Sequence, residues 1–461
     1  MGIRLSKLSL LIYTAFIVTW IIFALLSSKL DQNIQANYLV LLFGYFLVGC
    51  LFTFYSMIKG IDIFEPLPVI TVIYIMIFSI APMLDLLTEN TYFFGYNVVG
   101  GTIKATFIYI GGYIAFFIGY SMKKLRFNWE NSPEEITSIS KKKKMWINLS
   151  LWGFGLLSSL IYLMGFGQSI LYILSFGFGG TVQKNLIGGS SLAFLGVFSN
   201  AMVVPWMYLI INTRSITLRL LITFLTASIY FVIGFRFIIV IMIIAPIVYY
   251  YLKHQKRPSI VKVIIVLIIL TILVGLVGYV RGDLRRGNEV TWSEFGMDEV
   301  WYGIESNFEI YKAFYKMVEV IPESHSYTMG RQMSYTFTIM IPRFLWPNKP
   351  DTPLRKVLQV VLNDYAVAAG TAWPNIGEFY SEFGVVGVVL LMYLFGVLCK
   401  ASKKLYIGKN VNSHTLIAYS ILLPAYLQMV IRGYMPTNFW MLVFFGIPIW
   451  INSMISKSAS C

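Results

Sequence analysis

The chain alternates apolar runs of about 20 residues with mostly short polar connections, and a helix of that length crosses the ~30 Å hydrocarbon core of a bilayer. Because 57% of the 461 residues are hydrophobic and only 12% are charged, a water-soluble fold has no means of burying so much apolar surface. We therefore predict an all-α polytopic membrane protein, a single integral membrane domain over residues 1–461 with about 12 spans. The predicted spans are Leu8 to Ser28, Tyr38 to Ile58, Leu67 to Leu87, Thr102 to Ser121, Trp146 to Phe166, Leu192 to Asn212, Leu218 to Ile233, Phe237 to Leu252, Val261 to Val280, Gly384 to Lys400, Thr415 to Ile431 and Phe439 to Ile455.

The basic residues indicate on which side of the membrane each connection lies. With a cytoplasmic N-terminus, the inner connections hold 21 of the 36 Lys and Arg residues but only five of the 21 Asp and Glu residues. The positive-inside rule favours this arrangement, and an even number of spans places both termini in the cytoplasm. The net charge of +15 is thereby explained as a topology signal, so no nucleic-acid partner is predicted. One long tilted helix in place of the two spans around Gly234-Phe235-Arg236 would invert all later connections, and the charge count argues against it.

One outer connection is much longer than the others. Residues 281–383, between the ninth and tenth spans, contain 13 of the 21 acidic and 10 of the 36 basic residues, so we expect the polar chemistry there. Within it, apolar residues recur at three- and four-residue spacing from Met297 to Val318, which predicts an amphipathic helix ending at Ile321-Pro322. We expect this helix to lie on the bundle or at the lipid interface rather than to act in catalysis through its charges.

Two denser motifs follow in the same connection. Ile341 to Pro350 reads I-P-R-x-x-W-P-x-K-P, and its three prolines restrict φ around Arg343 and Lys349. Gly377 to Gly387 reads G-E-x-Y-x-x-F-G-x-x-G and runs directly into the tenth span. A rigid cationic loop beside an acidic pair at a membrane boundary is an unusual composition for a mere connection.

Basic residues also accumulate at the outer ends of the spans. Arginine keeps its charge and binds phosphate in two-point contact, and a charged side chain buried near the bilayer is costly unless it is paired. We therefore predict a diphosphate-binding site, with helix anchoring by snorkelling or by salt bridges as the alternative for any one arginine. The group comprises Arg236, Arg281, Arg285, Arg286, Arg343, Lys349 and Arg432, and Tyr380 is added as a predicted substrate-binding residue.

Other chemistries find no support in the sequence. His254 and His414 fall on the cytoplasmic side and only His325 lies outside, so no histidine-based metal cluster can assemble. No metal or other cofactor is therefore predicted. The chain contains no P-loop, dinucleotide-binding fingerprint or nucleophile elbow. Its three cysteines form no CxxC pair, so redox chemistry is not indicated.

The twelve spans, the late outer loop and these two motifs resemble the O-antigen polymerase (Wzy) family of oligosaccharide repeat-unit polymerases. The likeness in topology covers most of the chain, whereas the motif matches are confined to about Arg331 to Gly387 and the Gly-x-Arg turn at Arg236. The resemblance implies a GT-C-like glycosyltransferase in the bacterial inner membrane with its active site on the periplasmic face. It also implies that no metal is needed.

The activity implied by the resemblance is transfer of a growing glycan from one undecaprenyl-diphosphate carrier to the sugar of another carrier-bound repeat unit. Donor and acceptor are then both undecaprenyl-diphosphate-linked oligosaccharides, held in membrane lipid, and a chain-length regulator protein is a further candidate partner. Cationic side chains would stabilise the charge on the departing diphosphate, and a carboxylate would take the proton of the acceptor hydroxyl. Glu378 is the first candidate for that base, followed by Asp351 and Glu382, and a salt bridge to an arginine is the alternative role for Glu378.

The sequence departs from the related O-antigen ligases. Their pattern H-[NSQ]-x9-G-x-x-G matches here at Gly384 and Gly387, but Trp373 stands at the histidine position and Pro374 follows it. The ligase base is absent, which favours a polymerase, and a ligase with a substituted base stays open as an alternative. A flippase or transporter of lipid-linked oligosaccharides stays open as a second class, although such folds usually have two similar halves and charges within the spans.

Overall fold

In the part of the chain that it describes, the computed structural model is mostly helical. It describes residues 7–60, 62–122, 138–164, 194–233, 235–259, 309–350, 373–407 and 411–458, with a few positions between 261 and 296. We number its helices α1 Lys7–Leu26, α2 Gln32–Lys59, α3 Pro66–Ile75, α4 Ala81–Leu87, α5 Thr102–Ser121, α6 Ser138–Met164, α7 Leu195–Phe198, α8 Val203–Asn212, α9 Ile216–Ile233, α10 Arg236–Lys253, α11 Ile310–Val320, α12 Arg331–Thr338, α13 Asn375–Ser402, α14 Ser413–Ile431 and α15 Met435–Ser458.

Short segments of other secondary structure lie between these helices. A π-helical segment, Met76–Ile80, joins α3 to α4, so the three segments form one span, Pro66–Leu87. Short 3₁₀ segments are Ser27–Lys29, Val99–Gly101, Ser199–Met202 and Lys403–Leu405. A small antiparallel ladder pairs β1 Tyr92–Phe93 with β2 Tyr96–Asn97.

The predicted spans are confirmed as apolar helices wherever the structure describes them. Within the described part of the chain, nine helical segments are long and apolar enough to cross a bilayer, and each coincides with a predicted span. Two shorter apolar helices, Tyr13–Leu26 and Phe237–Lys253, coincide with the first and eighth. Most of the ninth, Val261 to Val280, lies outside the described residues. The chain is therefore an all-α polytopic membrane protein, while the total of twelve and the cytoplasmic termini stay predictions.

The expected break between the seventh and eighth spans is present. Helix α9 ends at Ile233 and α10 begins at Arg236, with Phe235 outside helical geometry at φ −85° and ψ 66°. The Phe235 N–H donates to the carbonyl of Tyr230 at 2.9 Å and so closes the end of α9. The single long helix considered from the sequence is therefore wrong.

Helices α5 and α13 approach each other very closely. A Cβ on Gly119 would stand 2.2 Å from the Tyr393 carbonyl oxygen, and one on Gly396 would stand 2.1 Å from that of Phe116. Only glycine permits so close an approach of two backbones, as is common between helices in membranes. The contact fixes the position of α13, which carries the acidic motif at its N-terminal end.

Polar side chains hold other spans together where apolar packing alone gives little specificity. Asn148 of α6 and Asn452 of α15 exchange two side-chain hydrogen bonds at 2.8 and 3.1 Å. His414 of α14 lies 2.6 Å from the Tyr208 hydroxyl through Nδ1 and 2.8 Å from the Ser456 hydroxyl through Nε2. Such bonds favour one arrangement of helices because a polar group without a partner is costly in hydrocarbon.

The predicted amphipathic helix packs on the bundle. Its described part is α11, which ends before Ile321, as expected. Lys312 is fully buried, and its Nζ lies 3.1 Å from Asp85 Oδ2 at the end of α4 and 3.0 Å from Glu309 Oε1. The Tyr311 hydroxyl donates to the same Asp85 oxygen. A buried ion pair between α4 and α11 therefore fastens the large connection to the membrane helices.

Candidate functional site

A cavity of about 150 Å³ opens where several spans end together. The C-terminal end of α14 and the start of α15 form one wall, and the turn before α10 forms another. We call this end of the bundle the cavity end. The lining residues are Asn200, Phe235, Phe237, Ile238, Gln428, Arg432, Tyr434, Thr437 and Asn438.

Arg432 supplies the charge in this cavity. It directly follows α14, is half-buried, and its guanidinium carbon lies 5.3 Å from the centre of the Phe237 ring. Its backbone is fixed on both sides, since its N–H donates to the Gln428 carbonyl at 2.7 Å and its carbonyl accepts from Asn438 Nδ2 at 2.7 Å. The structure thus places Arg432 beside the turn before α10, the helix that begins at Arg236, and the convergence of several arginines stays a prediction.

Amide side chains provide most of the remaining polar groups of the lining. Gln428 Oε1 is buried and accepts no hydrogen bond from the residues that the structure describes. Asn200 is anchored through Nδ2 to the Val197 carbonyl at 3.0 Å. Together with the aromatic rings of Phe235, Phe237 and Tyr434, this lining combines apolar faces with a few fixed polar atoms, as small-molecule sites commonly do.

The cavity wall is tied directly to the acidic motif. The Gly433 N–H donates to the Trp373 carbonyl at 2.7 Å, and the Met435 N–H donates to Glu378 Oε1 at 2.9 Å. A Cβ on Gly433 would stand 2.3 Å from the Cα of Asn375, so only glycine fits between the two segments. Residues 432–435 therefore carry the arginine on one side and rest against the first turn of α13.

Glu378 is the buried carboxylate of this contact. Only 1% of its surface is exposed. Its Oε1 caps the first residue of α15, where a negative charge is favourable at the free N–H groups and the positive end of the helix dipole. Its Oε2 accepts no hydrogen bond within normal distance from the described residues, although the Gln332 side chain interacts with the same carboxyl. No ion pair with an arginine is seen in the described part of the chain, and the contact observed is a helix cap.

Glu382, one turn later, is fully engaged. Its Oε2 accepts from the Gly330 N–H at 2.5 Å and its Oε1 from the Met333 N–H at 3.1 Å, so it caps α12. The Met329 N–H donates to the backbone carbonyl of Glu382 at 3.0 Å. Because both carboxylate oxygens are used, Glu382 holds the loop before α12 against α13, and the geometry favours this role over proton transfer.

Tyr380 faces the core on the same helical segment. Its hydroxyl donates to the Ile321 carbonyl at 2.9 Å, and its ring packs edge-on against Phe314 and Tyr327. The contacts connect α13 with the end of α11. They give Tyr380 a packing role, and ligand contact by this residue stays a prediction.

Helix α13 bends where the acidic motif meets the span. Phe383 has φ −138° and ψ 20°, and Gly384 has φ 64° and ψ −148°, so neither is helical. A side chain at position 384 would be strained by the positive φ and would also stand 2.9 Å from the Tyr327 ring. The first glycine of the G-x-x-G pair thus sets the angle between the acidic turn and the apolar part of α13.

The two basic residues of the proline-rich motif are held by their own loop. Lys349 Nζ donates to the Ile339 and Ile341 carbonyls at 3.0 Å each and lies 5.4 Å from the centre of the Tyr335 ring. Arg343 Nη1 donates to the Lys349 carbonyl at 3.0 Å. Burial lowers the pKa of Lys349 below its ordinary value, and the charge of Arg343 lowers this pKa further. Among the described residues, neither side chain lines the cavity.

Several predicted site residues lie outside the described part of the chain. They are Asp351, Arg281, Arg285 and Arg286, together with the side chain of Arg236, whose backbone begins α10. Among the described residues, no group of three His, Cys, Asp or Glu side chains is placed to hold a metal ion.

Sequence reasoning missed the amides of the cavity. Asn200, Gln428 and Asn438 sit near the ends of apolar spans, and a polar residue in such a place is a signal for function. Trp373, at the position of the ligase histidine, is 2% exposed and packs in the core beside Gly433.

Comparison with known families identifies the family of the chain. The family described as O-antigen polysaccharide polymerase Wzy matches residues 10–458. Neither the curated proteins nor the solved structures that were compared gave a match. Because the family match covers nearly the whole chain, and includes both motifs and every residue of the cavity, the chain belongs to the O-antigen polysaccharide polymerase Wzy family.

Proposed function

We propose that the protein polymerises undecaprenyl-diphosphate-linked oligosaccharide repeat units into O-antigen or a related surface polysaccharide. Membership of the family supports a membrane polymerase of the glycosyltransferase type and favours neither the transporter nor the ligase alternative. The observation that carries the proposal is the cavity in which Arg432 meets the turn bearing Arg236, beside the acidic segment of α13.

The lining of the cavity fits a sugar or a diphosphate. At about 150 Å³ it is smaller than the ~300–1,000 Å³ of typical sites for drug-sized ligands, so it suits one part of a long substrate. Arg432 provides a lasting positive charge for the diphosphate leaving group. Gln428 Oε1, which has no donor among the described residues, can accept a hydrogen bond from a sugar hydroxyl.

Glu378 is the proposed base for the acceptor hydroxyl. Its Oε1 is fixed by Met435, which leaves Oε2 for the proton of the attacking hydroxyl. The new glycosidic bond forms as the bond to the diphosphate oxygen breaks, and the proton passes to the carboxylate. Since only 1% of Glu378 is exposed, the acceptor must displace side chains packed over it. Asp351 and the arginines at 281 and 285 stay predicted partners in the same reaction.

The proposed localisation follows from the substrate. A lipid-diphosphate donor supplies its own leaving group, so no nucleotide is required and the site can face the periplasm of the bacterial inner membrane. This orientation also agrees with the distribution of basic residues.

Polymerisation by the isolated protein is the direct test. The purified full-length chain, reconstituted in vesicles, receives a chemically defined undecaprenyl-diphosphate repeat unit as the sole substrate. Products are separated by electrophoresis, and we expect a ladder of repeat units with release of undecaprenyl diphosphate. Movement of intact substrate across the membrane without any ladder would instead identify a transporter.

A further inference from the structure

A strip of apolar side chains is exposed at the cavity end, within the proline-rich motif and on the helix before it. Phe344 and Leu345 are exposed to 64% and 69%, and Phe337 on α12 to 66%. Ile341 and Trp346 are exposed beside them. We call these five residues, with Phe439 at the start of α15, the apolar rim. So many large apolar side chains in 10 consecutive positions are not expected on a loop surrounded by water.

The rim continues the surface of a span. Phe439 belongs to the candidate span Met435–Ser456, lies within its first turns, and is itself 39% exposed. The Phe337 ring packs edge-on against the Phe439 ring with centres 5.7 Å apart. The next residue, Trp440, donates from its indole nitrogen to the Thr336 carbonyl at 2.7 Å. Helix α12 is thus fastened along the first turns of α15, on the side that this span exposes.

The segment is nearly free of charge. From Gln332 to Asn348 the only charged residue is Arg343, and its Nη1 donates to the Lys349 carbonyl. Lys349 is buried and directs its ammonium group inward to two backbone carbonyls. Membrane proteins commonly place tryptophan and large apolar side chains at the interface of a bilayer. The segment has this composition and contains no acidic residue.

The loop holds this shape through its own backbone. The Leu345 and Trp346 N–H groups both donate to the Pro342 carbonyl at 3.1 Å, and the Lys349 N–H donates to the Trp346 carbonyl at 3.1 Å. The internal bonds of Lys349 add to these turns. The side chains of Phe344 and Leu345 are therefore presented outward by a turn that three backbone hydrogen bonds hold in place.

We propose that the apolar rim lies in the membrane leaflet at the cavity end, with Phe344, Leu345 and Trp346 inserted at the level of the lipid headgroups and upper acyl chains. The occupant of this surface is thus bilayer lipid, because the rim continues the exposed face of α15 without a charged interruption. The insertion would set the depth of the proline-rich loop beside the cavity. This inference concerns the fold in the membrane and does not depend on the proposed reaction.

Spin-label accessibility tests the depth of the rim. In the full-length chain with Cys50, Cys399 and Cys461 replaced by alanine, a nitroxide is attached at Leu345→Cys, and in a matched variant at Ser326→Cys, an exposed polar position of the same connection. Both proteins are reconstituted in vesicles of phosphatidylethanolamine and phosphatidylglycerol. We expect the label at 345 to collide mainly with oxygen, which partitions into lipid, and the label at 326 mainly with a water-soluble nickel chelate.

Each of the following results would overturn the proposal. Nickel collisions at 345 equal to those at 326 would place the rim in water. Low collision rates with both reagents at 345 would mean that protein covers it, and dipolar broadening between labels at 345 would identify a second copy as the cover. A second measurement uses the unsubstituted protein and so does not depend on the accumulation of the cysteine-free variant. Brominated acyl chains should quench its fluorescence more than that of Trp346→Phe, and equal quenching also contradicts insertion.

Discussion

Glu378 accepts a hydrogen bond at 2.9 Å from the backbone N–H of Met435, 57 residues further along the chain. The bond joins the first turn of α13 to the first residue of α15, three positions after Arg432. A carboxylate that the sequence nominates as a base therefore also holds the wall of the cavity. Substitutions can separate these two roles because glutamine keeps an acceptor oxygen and loses the basicity.

Glu378→Gln tests proton transfer. We expect the helix cap to persist and the polymerisation rate to fall by about 10²- to 10⁴-fold, the usual contribution of a general base. The measurement is the rate of ladder formation by purified protein, with the amount of folded protein checked by size-exclusion chromatography. A variant that polymerises at the normal rate would limit Glu378 to its capping role, and Glu378→Ala would then reduce only thermal stability.

Arg432→Lys tests the geometry of anion binding. Lysine preserves the charge but cannot make a two-point contact with phosphate, and a lost hydrogen bond to a charged group costs about 1.5–3 kcal/mol. We expect kcat/KM to drop by about 10- to 100-fold, and Arg432→Ala to drop further. Lys316→Ala is the matched control. The Nζ of this α11 lysine lies 3.0 Å from Glu319 Oε2, and Lys316 does not line the cavity. Equal effects at both positions would point to general electrostatics instead of binding in the cavity.

Lys312 and Lys316 allow a clean comparison of two ion pairs on one helix. Lys312→Ala leaves the buried Asp85 carboxylate without its cation and should lower the free energy of unfolding by about 3–5 kcal/mol. Lys316→Ala removes a partly exposed pair and should cost no more than about 1 kcal/mol. Thermal unfolding in detergent, followed by fluorescence, gives both values. Similar melting temperatures for the two variants contradict the role assigned to Lys312.

Gly433→Ala probes the contact between the cavity wall and α13. The added Cβ would stand 2.3 Å from the Asn375 Cα, so the connection must move, at a cost of about 1–3 kcal/mol, and Glu378 loses its fixed partner. We expect reduced stability and reduced polymerisation together. Gly446→Ala on α15, where a Cβ meets nothing within 4 Å, serves as the control and should behave like the parent chain.

Glu382→Ala tests the cap on α12. The Gly330 and Met333 N–H groups lose their acceptor, and a buried unsatisfied group costs about 1–3 kcal/mol. We expect faster proteolytic cleavage near residues 328–333 in the folded protein, and Glu382→Gln to restore part of the protection because its amide oxygen still accepts. Unchanged cleavage in the alanine variant rules out Glu382 as the residue that holds this loop.

Hydropathy predicted the described membrane helices well because span length is dictated by the bilayer. The break at Phe235 and the end of α11 before Ile321 were also predictable, since glycine and proline interrupt helices through backbone geometry alone. The bend at Gly384 was not, because a glycine in an apolar run does not by itself predict a positive φ, and the side chain packed against it, Tyr327, comes from 57 positions earlier.

The site was predicted less completely. Glu378 and Glu382 look equivalent in the sequence, yet one caps α15 with a single oxygen and the other caps α12 with both. Lys349 resembles a free cation until the path of its loop places two carbonyls around it. Gln428 escaped notice because an amide in an apolar run has no motif, and only the meeting of α14 with the turn before α10 gives it a place in the cavity.

The segment of residues 432–435 links the arginine of the cavity to the carboxylate of α13 through backbone bonds at Gly433 and Met435. The two side chains are therefore joined through the backbone of only four residues. In the proposed reaction, a headgroup held by Arg432 and a proton taken up by Glu378 would both act on this one short segment, and neither would require the movement of a whole helix.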